Sequence, residues 1–129
     1  MPKPAPTRPE YEESICRLLW QAKPLLFREV SFADGSVPLR NRCHDNVERW
    51  VKENSGATVV GGWVTYADFG LSIGLTAHSV VQGTDGQLFD ITPLADERVR
   101  DTMRFVPHLG DEQLFLSMKG SNIFIECRQ

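Results

Sequence analysis

The sequence predicts a mixed domain of helices and strands, α+β in class. Two observations carry that expectation. Apolar residues recur at helical spacing in two stretches before residue 55, and β-rich segments follow, two of them joined by a tight turn ending in glycine. The chain has 129 residues, a length that suits one domain with one core. We therefore expect residues 1–10 to be a flexible leader and residues 11–129 to be a single domain.

Composition narrows the function classes. Hydrophobic residues make up 41% and charged residues 24%, ordinary values for a soluble globular protein. A net charge of −3 is too weak to imply a polyanion partner, and no basic stripe with interleaved aromatics appears, so nucleic-acid binding is not expected. No apolar run approaches the roughly 20 residues needed to span a bilayer, so no membrane partner is expected. MPKPAPTRPE has prolines and charges but no apolar segment of the signal-peptide kind, which points to a cytoplasmic location. Three widely spaced cysteines, at 16, 43 and 127, match neither a disulfide framework nor the paired spacing of structural zinc. No cofactor is called for.

In chain order, Ile15, Leu18, Leu19 and Ala22 predict a first helix that Pro24 ends or kinks. Cys16, at its edge, reads as core filler. SFADGSVPLRN is a loop. Asn41 is the expected N-cap of a second helix, on whose apolar face Cys43 joins Val47, Trp50 and Val51, and Gly56 is its expected left-handed cap. ATVVGGWVTYADF is a strand whose Gly61-Gly62 pair marks a bulge or a close backbone approach. GLSIG reads as a loop, and with Tyr66, Asp68, Gly70 and Gly74 it suggests a mobile segment. TAHSVVQ and QLFDITP are short strands, LADERVRDTM and GDEQLFLSM short helices, and NIFIECR a closing strand.

The chemistry centres on Cys43, His78 and Asp90. Thiol catalysis needs a cysteine that attacks as thiolate, a histidine that takes its proton, and a polar group that orients the histidine. Cys43 opens a helix, where unpaired N–H groups and the dipole favour negative charge and can hold an oxyanion. His78 and Asp90 lie on the two strands of the hairpin. If Thr84-Asp85-Gly86 forms a three-residue loop with Gly86 left-handed, Gly83 pairs with Gln87, Val80 opposes Asp90, and Thr92 opposes His78. His78 and Asp90 then share a face as diagonal neighbours about 7 Å apart. A two-residue loop would put them on opposite faces.

Of the remaining candidates, His44 reads as a solvent-facing first-turn side chain or a second base. Trp63 reads as core, or as a cleft wall. Asn41, His44 and Trp63 are the expected substrate contacts. His108 reads as a surface residue. Cys43, His78 and Asp90 also supply donors for an alternative zinc site.

The order RCHDNV…GGW…AHSVV…DGQLFDITP, over residues 41 to 93, resembles the papain-like cysteine hydrolase superfamily, and most closely its small NlpC-type amidopeptidases and transglutaminase-like proteins. The resemblance implies a papain-like core, with the helix carrying Cys43 packed on an antiparallel sheet of four to six strands. It implies thiol chemistry on an amide or related acyl bond of a small molecule or peptide. Cys43 would be nucleophile, His78 general base and acid, and Asp90 the orienting residue. A papain-like binding module without turnover is the alternative.

Overall fold

The computed structural model describes residues 8–119 and 124–129. Its class is α+β. Helix α1 (Arg8–Leu19) precedes α2 (Cys43–Glu53), then strands β1 (Thr58–Asp68), β2 (Ser72–Gln82) and β3 (Leu88–Phe89). A 3₁₀ segment (Glu97–Thr102), β4 (Phe105–Pro107), α3 (Glu112–Lys119) and β5 (Phe124–Arg128) complete the chain. The five strands form one antiparallel sheet in the order β3-β2-β1-β4, with β5 also on β2. Among the described residues no helix is long and apolar enough to cross a membrane.

β1 and β2 form the frame. Trp63 pairs with Ala77 and Val106, and Val64 with Thr76 and Phe105, so the two sets lie on opposite faces. The Trp63 face meets Tyr11, Ile15 and Leu19 of α1 and Phe115 and Met118 of α3. The Val64 face packs with Val80, Leu25, Met103 and Phe105. Val47 of α2 packs with Val81, Phe89 and Ile91 in a third cluster.

β2 is paired unevenly on the side away from β1. β5 covers Ser72–Thr76 and β3 covers Val81–Gln82. Ala77–Val80 therefore has a strand on the β1 side only among the described residues, and the first turn of α2 approaches the other side through His44 and Ser79.

Several sequence expectations are corrected. α1 starts at Arg8, inside the expected leader; residues 1–7 of that leader lie outside the described residues. α1 stops at Leu19, before Pro24, and its buried face is Tyr11, Ile15 and Leu19, with Leu18 exposed. Ser72–Gly74 of GLSIG already belong to β2, and Phe69–Leu71 form a tight turn with Gly70 at φ 85°. The expected mobile segment is thus a hairpin tip, tied down by Gln129, whose Nε2 donates to Asp68 and Gly70. The register shift of β1 lies between Thr65 and Ala67 rather than at Gly61-Gly62. Asn122 and Ile123 of the closing strand lie outside the described residues.

Cys16 is not simple filler. It forms a disulfide with Cys127 across 111 residues of sequence, joining α1 to β5. The spacing hid this because only folding lays α1 against β5.

The glycine pair serves close approach. A Cβ on Gly61 would stand 2.2 Å from the ring of buried Phe115, and one on Gly62 2.3 Å from the Val106 carbonyl. Gly83 differs, since its nearest neighbour would be the flexible Asp85 carboxylate at 3.1 Å. Gly61→Ala is expected to cost about 1–3 kcal/mol by overpacking, and Gly83→Ala under about 1 kcal/mol. Urea denaturation of the two variants checks this; equal losses would mean that Phe115 yields.

Candidate active site

The site is set by how α2 begins. Asn41 adopts φ 62°, in the left-handed region that asparagine tolerates better than most residues. It turns the chain so that Arg42 becomes the N-cap and Cys43 the first helical residue. Asn41 is therefore not the cap expected from the sequence. Among the described residues no side chain caps the helix, and Cys43 and His44 of its first turn line the cleft. Buried Asn46 pins this corner. Its Nδ2 donates to Leu39 O at 2.8 Å and Thr92 Oγ1 at 3.1 Å, and its Oδ1 accepts from Leu39 N at 3.3 Å.

The hairpin supplies the other two residues. Val81 pairs with Phe89 and Gln82 with Leu88, Gly83 N donates to Gln87 O, and Gly86 is left-handed at φ 84°. This is the three-residue-loop register. Regular pairing ends at Phe89, and Asp90 is instead locked by main-chain bonds to Leu26 and Arg28. His78 Nε2 lies 3.1 Å from Asp90 Oδ1. That is an ion-pair distance, but the angle is not that of a well-formed hydrogen bond.

Electrostatics follow from this arrangement. Burial alone would push the Cys43 thiol up. Hydrogen bonding to His44 and His78, and their charge, outweigh burial and bring it from 9.0 to about 6. Burial would lower the His78 imidazole. Its interactions with Asp90 and Cys43 prevail and raise it from 6.5 to about 9. The two shifts are coupled, the thiol moving down and the imidazole up, so both favour the thiolate–imidazolium form of the pair near neutral pH. Burial would also raise the fully buried Asp90 carboxyl, but His78, the Thr92 N–H and Arg100 hold it below the usual range.

Sequence reasoning missed Arg100. Its Nη1 is 2.5 Å from Asp90 Oδ2, and Nη2 donates to Thr92 O at 3.1 Å. Nε and Nη2 bind Glu97, and the guanidinium lies 4.4 Å over the Phe27 ring. The i,i+3 spacing of Glu97 and Arg100 was the only local signal. The link from Arg100 to Asp90, ten positions away, was not readable.

The expected substrate contacts divide. Asn41 and His44 line a cleft of about 1240 Å³ that Cys43 and His78 also line. His44 does not face solvent: it is half-buried, with Nδ1 2.5 Å from Ser79 Oγ. Trp63 is fully buried, and its Nε1 donates to Tyr11 Oη at 2.8 Å, so it is core and not cleft wall. His108 is half-buried rather than a surface residue. Its Nδ1 accepts from Tyr11, which already accepts from Trp63, and its Nε2 donates to Asp111 O.

Among the described residues no group of three His, Cys, Asp or Glu side chains could hold a metal ion. His78 stands between Cys43 and Asp90, so the three donors run in series rather than converging. The zinc alternative is therefore set aside. No family model, no curated protein and no solved structure matches the chain.

Arg100→Met would leave Asp90 buried with one cation fewer. We expect a loss of about 3–5 kcal/mol in denaturant unfolding at neutral pH. In an Asp90→Asn background the same change should cost at least about 1 kcal/mol less. Additive losses in the double-mutant cycle would show that the two side chains are not coupled.

Proposed function

We propose that the protein is a thiol-dependent hydrolase or acyltransferase of the papain-like, NlpC or transglutaminase-like kind, acting on an amide or related acyl bond. One observation carries the reading: Cys43 opens an uncapped helix in a cleft shared with His44 and His78, and His78 is backed by the fully buried Asp90 carboxylate, a setting that holds the thiol below its ordinary range. A purely structural thiol has no need of that environment. A half-buried thiol among apolar neighbours would be raised instead.

The residues support a two-stage reaction. The Cys43 thiolate attacks the acyl carbon; an S–C bond forms and the carbonyl electron pair moves to oxygen. N–H groups of the first α2 turn offer hydrogen bonds to that oxyanion. As it collapses, the C–N bond breaks and His78 gives its proton to the leaving amine. Neutral His78 then takes a proton from water, or from an acceptor amine, as it attacks the thioester. The C–S bond breaks, the thiolate returns, and an acid or a new amide leaves. Asp90, steadied by Arg100, keeps His78 oriented throughout.

Cys43 is the free thiol, whereas the Cys16–Cys127 bond is of the kind that persists in oxidising surroundings.

The test needs no known substrate. Cys16 and Cys127 are paired, so iodoacetamide reports on Cys43 alone. The thiol's folded value lies below its ordinary one, so reactivity should appear as pH rises through about 6. His78→Ala removes part of the cause that lowers the thiol and leaves the burial that raises it, so the midpoint should climb by at least about one pH unit. A midpoint near the ordinary 9.0 in the unaltered protein, unmoved by His78→Ala, would make Cys43 a packing residue and favour a binding module.

A further inference from the structure

We infer that the cleft beside Cys43 is built for an acyl substrate that carries a carboxylate, received by the guanidinium of Arg104. The inference rests on the thiol-enzyme reading and adds a substrate class to it.

Charge in the cleft runs against charge in the chain. Overall, 17 acidic side chains outnumber 14 basic ones. The cleft reverses this, with Arg40, Arg104 and Lys119 among its lining residues and Asp68 as its one carboxylate outside the Cys43–His78 centre. Asp68 is already engaged, accepting from Gly70 N at 2.8 Å and Gln129 Nε2 at 3.0 Å. Lys119 is 3.6 Å from Glu48. The reactive centre does not use the surplus either, because thiolate balances imidazolium and Asp90 balances Arg100.

Arg104 is the informative cation. Exposed Arg17, Arg49 and Arg98 each pair with a carboxylate, though water would solvate them well. Half-buried Arg104 pairs with none among the described residues. Desolvation would predict the opposite order, since a partly buried charge gains more from a counterion.

The side chain is held in place. Its Nη1 donates to the carbonyls of Asp101 at 2.9 Å and Met103 at 3.1 Å. Its main chain exchanges bonds with Thr65, Arg104 N to Thr65 Oγ1 at 3.0 Å and Thr65 N to Arg104 O at 3.1 Å. Nε and Nη2 meet no acceptor among the described residues. Those two N–H groups form one edge of the planar fork, which matches the two oxygens of a carboxylate. Val64, Leu94, Val99 and Met103 also line the cleft and offer apolar surface to the carbon skeleton between carboxylate and acyl carbon.

Iodoacetate and iodoacetamide test this directly. Each forms the same C–S bond to Cys43 as iodide leaves, but one carries a carboxylate and the other an amide, so the ratio of their rates cancels the thiol's own nucleophilicity. Arg104→Gln should lower the iodoacetate-to-iodoacetamide ratio about three- to tenfold. Arg104→Lys should retain part of it, and Arg17→Gln, far out on α1, should leave it unchanged. In the unaltered protein, succinate should slow iodoacetamide alkylation more than succinamide does, a comparison that needs no variant to fold. If both reagents label Cys43 rapidly while the ratio ignores Arg104, or succinate and succinamide protect equally, the carboxylate inference is overturned and the thiol reading stands. If neither reagent reacts faster than with free cysteine, the thiol reading fails and takes this inference with it.

Discussion

The contact on which the rest depends is the ion pair between Asp90 and Arg100. A carboxylate with no solvent exposure is costly unless a cation and donors surround it. Arg100 meets that requirement, and in doing so gathers distant segments. Through its own bonds it holds the 3₁₀ segment, by way of Glu97, against the Thr92 carbonyl and the Phe27 ring. Asp90 in turn reaches His78 on β2, while its main chain bonds to Leu26 and Arg28. Structure and reactivity share the same charges. The contact that makes the burial of Asp90 tolerable also steadies the carboxylate that keeps His78 charged.

β2 translates this network into a site. Its interrupted pairing leaves Ala77–Val80 open on one side, and α2 begins there instead of a strand. Cys43 and His44 consequently arrive beside His78 and Ser79 as neighbours from two elements. Asn46 ties the same corner to Leu39 and Thr92, so the approach of α2 and the position of the Asp90 segment are set together. The uncapped helix start then favours negative charge at the Cys43 thiol.

Local chemistry was the legible part. Thr84-Asp85-Gly86 suits a three-residue loop with Gly86 left-handed, which puts His78 and Asp90 on one face, but a two-residue loop stayed open, and the structure takes the three-residue register. Helical spacing marked α2, and β-branched and aromatic residues marked β1, for the same reason: each signal lies within one element. Errors arose where a local signal had a tertiary competitor. Asn41 looked like a cap because the residue type suits capping, but a chain reversal at φ 62° claimed it. His44 looked solvent-facing because the sequence gives no hint of Ser79, 35 positions away.

By itself the sequence determined most kinds of element, a choice of two hairpin registers and the three residue types that thiol chemistry needs, because turn geometry and periodicity act over a few neighbouring residues. Only the tertiary structure decided that Arg100 completes Asp90, that Cys16 meets Cys127, that Trp63 is core, and that Arg104 lines the cleft without a counterion. Each of these depends on surfaces far apart in the chain being buried together. The cost of burying charge, which selects among such arrangements, exists only once water has been excluded.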